Sequence, residues 1–192
     1  MPSTRLLLVR HGETDWAKGR RHTGRTDIGL NATGEAQARD LPGRLPLDGV
    51  VAIWCSPLAR SRDTAARAGL AVDVIDPDLI EWDYGFAEGR TTAQIRDERP
   101  GWTVWDDEIT GGESLEQVGA RADSVIVRAR SVEGTVALVG HAHHLRVLAA
   151  RWLGLAPGGG RHLTLDPAGW GALGWERETP VIERWNPPGP PI

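Results

Sequence analysis

The sequence predicts an α/β fold, a three-layer sandwich with a mostly parallel central sheet flanked by helices, and three observations carry that prediction. Short apolar, β-compatible runs alternate with helix-forming stretches along the chain, the pattern of a layered α/β domain. The runs Arg5 to Val9, Val50 to Cys55 and Thr135 to Val139 are apolar nearly throughout, as buried strands are. Each breaks off at a polar or glycine-bearing turn, at Arg10-His11-Gly12, at Ser56-Pro57 and at Gly140-His141.

The first run ends in a loop, and the Gly- and Arg-rich stretch from Gly19 to Gly29 has no apolar period, so it also reads as loop. Asn31 is an N-cap type and starts a helix that extends through Gln37 to Arg44. After the second strand, Ser56-Pro57 places a cap before a proline at the first helical position, and that helix stops near Gly69. A third strand is predicted at Val72 to Ile75, and a short helix over Thr92 to Glu98 ends before Pro100. Ser114 and Gln117 form a capping box, after which Leu115, Val118, Ala122, Val125, Ile126 and Ala129 recur on one helical face. The strand at Thr135 to Val139 leads into a helix through Leu153, and two last strands are expected at Gly169 to Trp175 and Pro180 to Trp185. The domain is read as residues 1–186, with a lid-like insert at about 82–112 and a frayed, proline-rich tail from Asn186 on, set apart as 187–192.

Composition narrows the function. A formal net charge of −4 over 192 residues argues against a nucleic-acid partner. No stretch approaches the length of a membrane span, and the apolar run at Leu6 to Val9 is too short for a signal segment, so no membrane partner and a cytoplasmic location are expected. Cys55 is the only cysteine, which leaves no intrachain disulfide. A homodimer is compatible with the sequence, which does not set the oligomeric state.

In sheets of this kind ligands bind beyond the carboxyl ends of the strands. Three such ends carry reactive residue types: Arg10 and His11, the turn from Ser56 to Arg60, and His141. Gly12 lets backbone approach a ligand closely, and Arg60 lies about one turn into a helix, near the positive end of its dipole. Arginine suits a phosphate because its planar fork donates in pairs and stays charged at any working pH.

Six motifs, in order, resemble the histidine phosphatase superfamily, the group that includes cofactor-dependent phosphoglycerate mutase. They are RHGET at 10–14, HTG…L…TGEAQA at 22–38, SPLARSRDTA at 56–65, LIEWDYGFAEG at 79–89, GGES at 111–114 and VGHA at 139–142. The resemblance covers nearly the whole chain and implies a phosphoglycerate mutase-like fold. It also implies His11 as a nucleophile that becomes a phosphohistidine, Arg10, Arg60 and His141 as a phosphate pocket, Thr23 and Gly24 on a supporting loop, and Glu81 as proton donor. Trp82, Tyr84 and His143 are placed on the substrate-binding wall. The nucleophile must be a neutral imidazole, so a backbone carbonyl near Gly12 is expected to hold its other nitrogen. A phosphate dianion beside Glu81 would favour the protonated carboxyl, which predicts an acid-side pH optimum on alkyl phosphates. Neither a cofactor nor a metal is called for.

Mutases of the family carry arginine where this chain has Trp82, asparagine where it has Ala17 and tryptophan where it has Arg25. These departures favour water as acceptor. The run at 81–85 is more similar to the bacterial acid phosphatases and sugar-bisphosphatases of the family, so a small phosphomonoester, such as a sugar phosphate, is the expected substrate. Phosphoglycerate mutase and an inactive phosphate-binding regulator are the alternatives. A cysteine phosphatase does not fit, because Cys55 and Arg60 lie one residue too close. His141, His143 and His144 on one turn cannot converge on a metal.

Overall fold

The computed structural model describes residues 4–188. A single sheet of six strands has the order β3-β2-β4-β1-β5-β6. The strands are β1 (Arg5–Arg10), β2 (Val50–Cys55), β3 (Val74–Ile75), β4 (Thr135–Gly140), β5 (Trp170–Glu176) and β6 (Thr179–Trp185). The first four run parallel, and β5 and β6 are antiparallel to their neighbours. The sheet is therefore mostly parallel, with an antiparallel edge that joins through a tight turn.

The apolar run of β1 explains the layering. Leu6, Leu7, Leu8 and Val9 are all buried, and alternate side chains enter separate cores. Leu6 and Leu8 join Val136 and Leu138 of β4 on one face, while Leu7 and Val9 join Ala137 and Val139 on the other. The first core is covered by helices α5 (Leu115–Ala129) and α6 (Ala142–Trp152), the second by α2 (Ala32–Asp40) and α3 (Ala59–Arg67). Each such buried aliphatic chain contributes about 1.5–3 kcal/mol.

Two short helices, α1 (Asp15–Lys18) and α4 (Thr92–Glu98), lie between these elements. The capping boxes at Thr91/Gln94 and Ser114/Gln117 are formed, and Asn31 caps α2 through the amide of Gly34. The 82–112 segment packs Trp82, Tyr84, Ile95, Trp102, Val104 and Ile109 into the larger core.

Several local readings need correction. Ser56 does not cap α3: its Oγ lies 2.7 Å from His141 Nε2, the helix starts two residues after Pro57, and Asp27 Oδ1 takes the Ala59 amide instead. Helix α2 gives way at Asp40 to a 3-10 turn containing Pro42, which cannot continue the ladder. Strand β3 is two residues long, because the Asp73 carboxylate takes the Ile53 amide at 2.8 Å. Asn186 is pinned rather than frayed. Its amide donates to Trp170 O and its side chain spans to Asp166. Tail residues 189–192 lie outside the described residues.

Candidate active site

Strands β2, β4 and β1 are adjacent, so their carboxyl ends deliver Ser56, His141 and His11 side by side. The ladder continues past those ends: the His11 amide donates to Gly140 O and the Ser56 amide to Val139 O. His11 and His141 meet edge to face with ring centroids 5.1 Å apart.

His11 is 5% exposed, and its Nδ1 lies 2.7 Å from the Gly12 carbonyl. That contact places the proton on Nδ1 and leaves Nε2 bare, facing a cavity of about 450 Å³. Burial, then the nearby Arg60 and Arg10 cations, hold the His11 pKa well below its usual value, so the ring is a neutral base. Gly12 is fixed in turn, its amide donating to Thr64 Oγ1 at 3.0 Å. A Cβ on Gly12 would collide with the Gly34 carbonyl, and one on Gly34 with the backbone of Glu13, so the loop after β1 and α2 touch backbone to backbone.

Arg10 lines the cavity and anchors through Nη1 to Leu165 O at 2.6 Å, with its buried Nε unpartnered. Arg60 is fully buried behind the cavity rather than on its wall. Its Nη2 donates to the Thr23 and Gly24 carbonyls, its Nη1 to Thr26 O and its Nε to His141 Nδ1. One of its five N–H groups is thus left without a protein partner among the described residues. The expected two-pronged grip on an anion is instead a grip on the 23–26 loop. Glu88 holds the same loop from the other side, accepting the Gly24 and Thr26 amides. His141 is likewise buried beneath the cavity, its pKa held down by burial and Arg60.

Glu81 lines the cavity and is 4% exposed. Its Oε1 accepts the amides of Trp82 and His144, and its Oε2 the amide of His143, at 2.9–3.1 Å. It therefore sits on the first turn of α6, where the helix dipole favours negative charge. Oε1 thus takes two donors and Oε2 one. The two other acids of this segment are occupied: Glu88 by the loop amides, Asp83 by the Gly85 amide and Arg25.

Thr23, Tyr84 and His143 line the cavity, and Gly24 lies behind it, where any side chain would strike Trp82 O and Glu88. Trp82 is a correction. Its ring is 1% exposed, does not border the cavity, and donates Nε1 to Glu113 O. Trp105, not Trp82 or Trp102, reaches the cavity wall. Sequence reasoning missed Arg20, Arg21, His22 and Arg96, which line the outer wall. Among the described residues none of the three arginines has a carboxylate partner, which makes that wall cationic. The HTG motif is the one signal that pointed at this stretch. Cys55 is buried, with its thiol pushed up to about 12, chiefly by burial, so it offers no thiolate nucleophile. No group of histidines, cysteines and carboxylates spaced for a metal occurs among the described residues, and no helix of the described residues is long and apolar enough to cross a membrane.

This is an α/β site that sets two arginines, Arg10 and the buried Arg60, beside a neutral imidazole. The model of the histidine phosphatase superfamily (branch 1) matches residues 6–188. The chain belongs to that superfamily and is a phosphatase. It is 44% identical over 177 residues to an acid phosphatase of Mycobacterium tuberculosis, covering 90% of this chain and 87% of that one. It is 34% identical to sedoheptulose 1,7-bisphosphatase of Saccharomyces cerevisiae, covering 81% of this chain and 70% of that one. A solved structure, the product of an open reading frame of M. tuberculosis, superimposes with a TM-score of 0.91 at 40% identity, covering 95% of this chain and 97% of the other.

Proposed function

We propose that the chain hydrolyses small phosphomonoesters, sugar phosphates among them, through a phosphohistidine on His11. The observation that carries this reading is the His11 ring, neutral, bonded through Nδ1 to Gly12 O, with Nε2 open to a cavity shared with Arg10. The Nε2 lone pair attacks phosphorus as the ester P–O bond breaks, and Glu81 gives its proton to the departing alkoxide. Water then attacks the phosphohistidine, returns a proton to the Glu81 carboxylate and releases phosphate. Arg10 and the buried Arg60 offset the charge on the phosphoryl oxygens. Residues 82–112 serve as the lid-like wall that meets the alcohol half, and Arg96 of that segment, with Arg20 and Arg21 of the preceding loop, suits polar, anionic substrates. Position 82, turned into the core, provides none of the charge a mutase uses to hold a carboxylate. We further propose that the reaction runs in the cytoplasm.

Radiolabelled substrate, quenched in alkali or in acid, tests the intermediate. Label should stay on wild type in alkali and be lost in acid, and His11→Ala should trap none. Label stable in acid, or trapped on His11→Ala, overturns the reading. The proton donor has its own signature. Glu81→Gln is expected to slow alkyl phosphates about 10²-fold or more, with a much smaller loss on p-nitrophenyl phosphate, whose leaving group needs no proton. Equal losses on both would remove Glu81 from that role.

A further inference from the structure

We propose that Tyr84 is a positioning residue that fixes His143 as an Nε2–H donor, aimed at an oxygen on the alcohol half of the substrate. The inference rests on the phosphatase reading above and adds the group that would recognise a hydroxylated substrate. Tyr84 is 2% exposed, and its hydroxyl lies 2.5 Å from His143 Nδ1. This is the hydroxyl's single hydrogen bond among the described residues, so the arrangement that leaves no polar hydrogen unused within the protein has the phenol donating and Nδ1 bare. The His143 proton then sits on Nε2. That nitrogen has no protein partner and is not among the buried unpartnered atoms, while the residue borders the same cavity as His11 and Glu81.

The ring cannot easily turn away. Its backbone amide is tied to Glu81 Oε2 at 3.1 Å, and the rings of Trp105, Tyr84, Trp82 and His22 surround it at centroid distances of 5.2–6.4 Å. Burial, with Arg146 adding to it, keeps His143 neutral, and burial keeps the Tyr84 phenol protonated, which is the pairing the donor arrangement needs. The amide of His143 holds Glu81, the proton donor of the reading above, and both residues line the one cavity. A hydroxyl or other acceptor oxygen near the ester is the chemistry such a donor reads. Losing the donor leaves that oxygen unpaired in a confined site.

The test compares glycerol 3-phosphate and glucose 6-phosphate with phenyl phosphate, which has no oxygen beyond the ester. Tyr84→Phe keeps the ring volume and frees both tautomers. The polyol-to-phenyl ratio of kcat/KM should fall about 10-fold in Tyr84→Phe and in His143→Ala, with His143→Gln retaining most of it through its amide N–H. In a His143→Gln background, Tyr84→Phe should cost under about twofold, because an amide donor needs no tautomeric partner. Nitrogen-15 NMR of labelled histidine should show a bare Nδ1 and a protonated Nε2 at His143, and a mixture in Tyr84→Phe. An unchanged ratio in Tyr84→Phe, an equal loss in the His143→Gln background, or a proton on Nδ1 in wild type overturns the proposal. If phenyl phosphate is hydrolysed with label on His11 while these arms stay flat, this inference fails and the phosphatase reading stands; without labelled enzyme, both fall.

Discussion

Arg60→Met should lose activity by about 10²–10³-fold and melt roughly 10 °C below wild type. The two losses share one cause. The guanidinium is fully buried and supplies donors to the carbonyls of Thr23, Gly24 and Thr26. Methionine fills the volume but leaves those carbonyls without partners, at about 1–3 kcal/mol for each that stays dry. The Thr23 side of the cavity loosens, and Glu88 is left holding a loop whose other face is free. His141 loses its Nδ1 donor, and His11 loses the second largest influence that keeps it neutral. Arg60→Lys restores the charge without the planar fork and should recover little of either loss. Thermal melting and steady-state kinetics on the two variants check this. A Lys variant close to wild type would mean that charge alone, not the loop clamp, is what Arg60 provides.

Acid is expected to unfold the protein steeply, beginning below about pH 6.5, the ordinary histidine value. Five of its six histidines, His11, His22, His141, His143 and His144, have pKa values lowered by burial, His22 to about 4 and the others well below the usual value. Above that pH the rings are neutral whether folded or unfolded, and they contribute no pH dependence. Below it the unfolded chain takes up protons that the folded one refuses, so stability falls with pH until each folded pKa is reached. Each histidine can remove up to about 1.4 kcal/mol per pH unit over that window. Melting temperature measured from pH 8 to pH 5 should hold steady and then drop. His144 isolates the effect, because it is fully buried and neither ring nitrogen has a partner. His144→Leu should be more stable at neutral pH by about 1–3 kcal/mol and show a shallower acid limb. A melting curve level down to pH 5 in wild type would contradict the neutral assignment of the cluster. The acid side of the rate profile will then report loss of the fold as well as titration of the site.

The chemical end of the site was legible in the sequence because it depends on strand ends. Apolar runs mark where β1, β2 and β4 stop, and adjacency in a parallel sheet brings whatever follows them together. Even the carbonyl that meets His11 Nδ1 was expected near Gly12, and Gly12 supplies it. What the sequence hid are choices made between distant side chains. Ser56 looked like a helix cap because Pro57 follows it, yet His141, 85 positions away, donates its Nε2–H to that hydroxyl, and Asp27 takes over the cap. Arg60 carried the expected charge, but its donors went to a loop whose conformation no local pattern reveals. Trp82 could have faced either way until the larger core was assembled, and Glu113 settled its indole. The outer wall was the hardest to see. Arg20 and Arg21 sit in a loop without periodicity, and Arg96 on a helix seven residues long, so only the folded chain shows that they line a single cavity.

The backbone contact between Gly12 and Gly34 divides the molecule's future as well as its present. Neither position tolerates so much as a methyl group, so mutational drift beside His11 is closed off on both of the segments that meet there. The rim formed by Arg20, Arg21 and Arg96 has no such constraint, since all three side chains reach solvent and hold no carboxylate. Descendants of this chain can therefore exchange one substrate for another by rewriting the rim, while the bond they break stays the same.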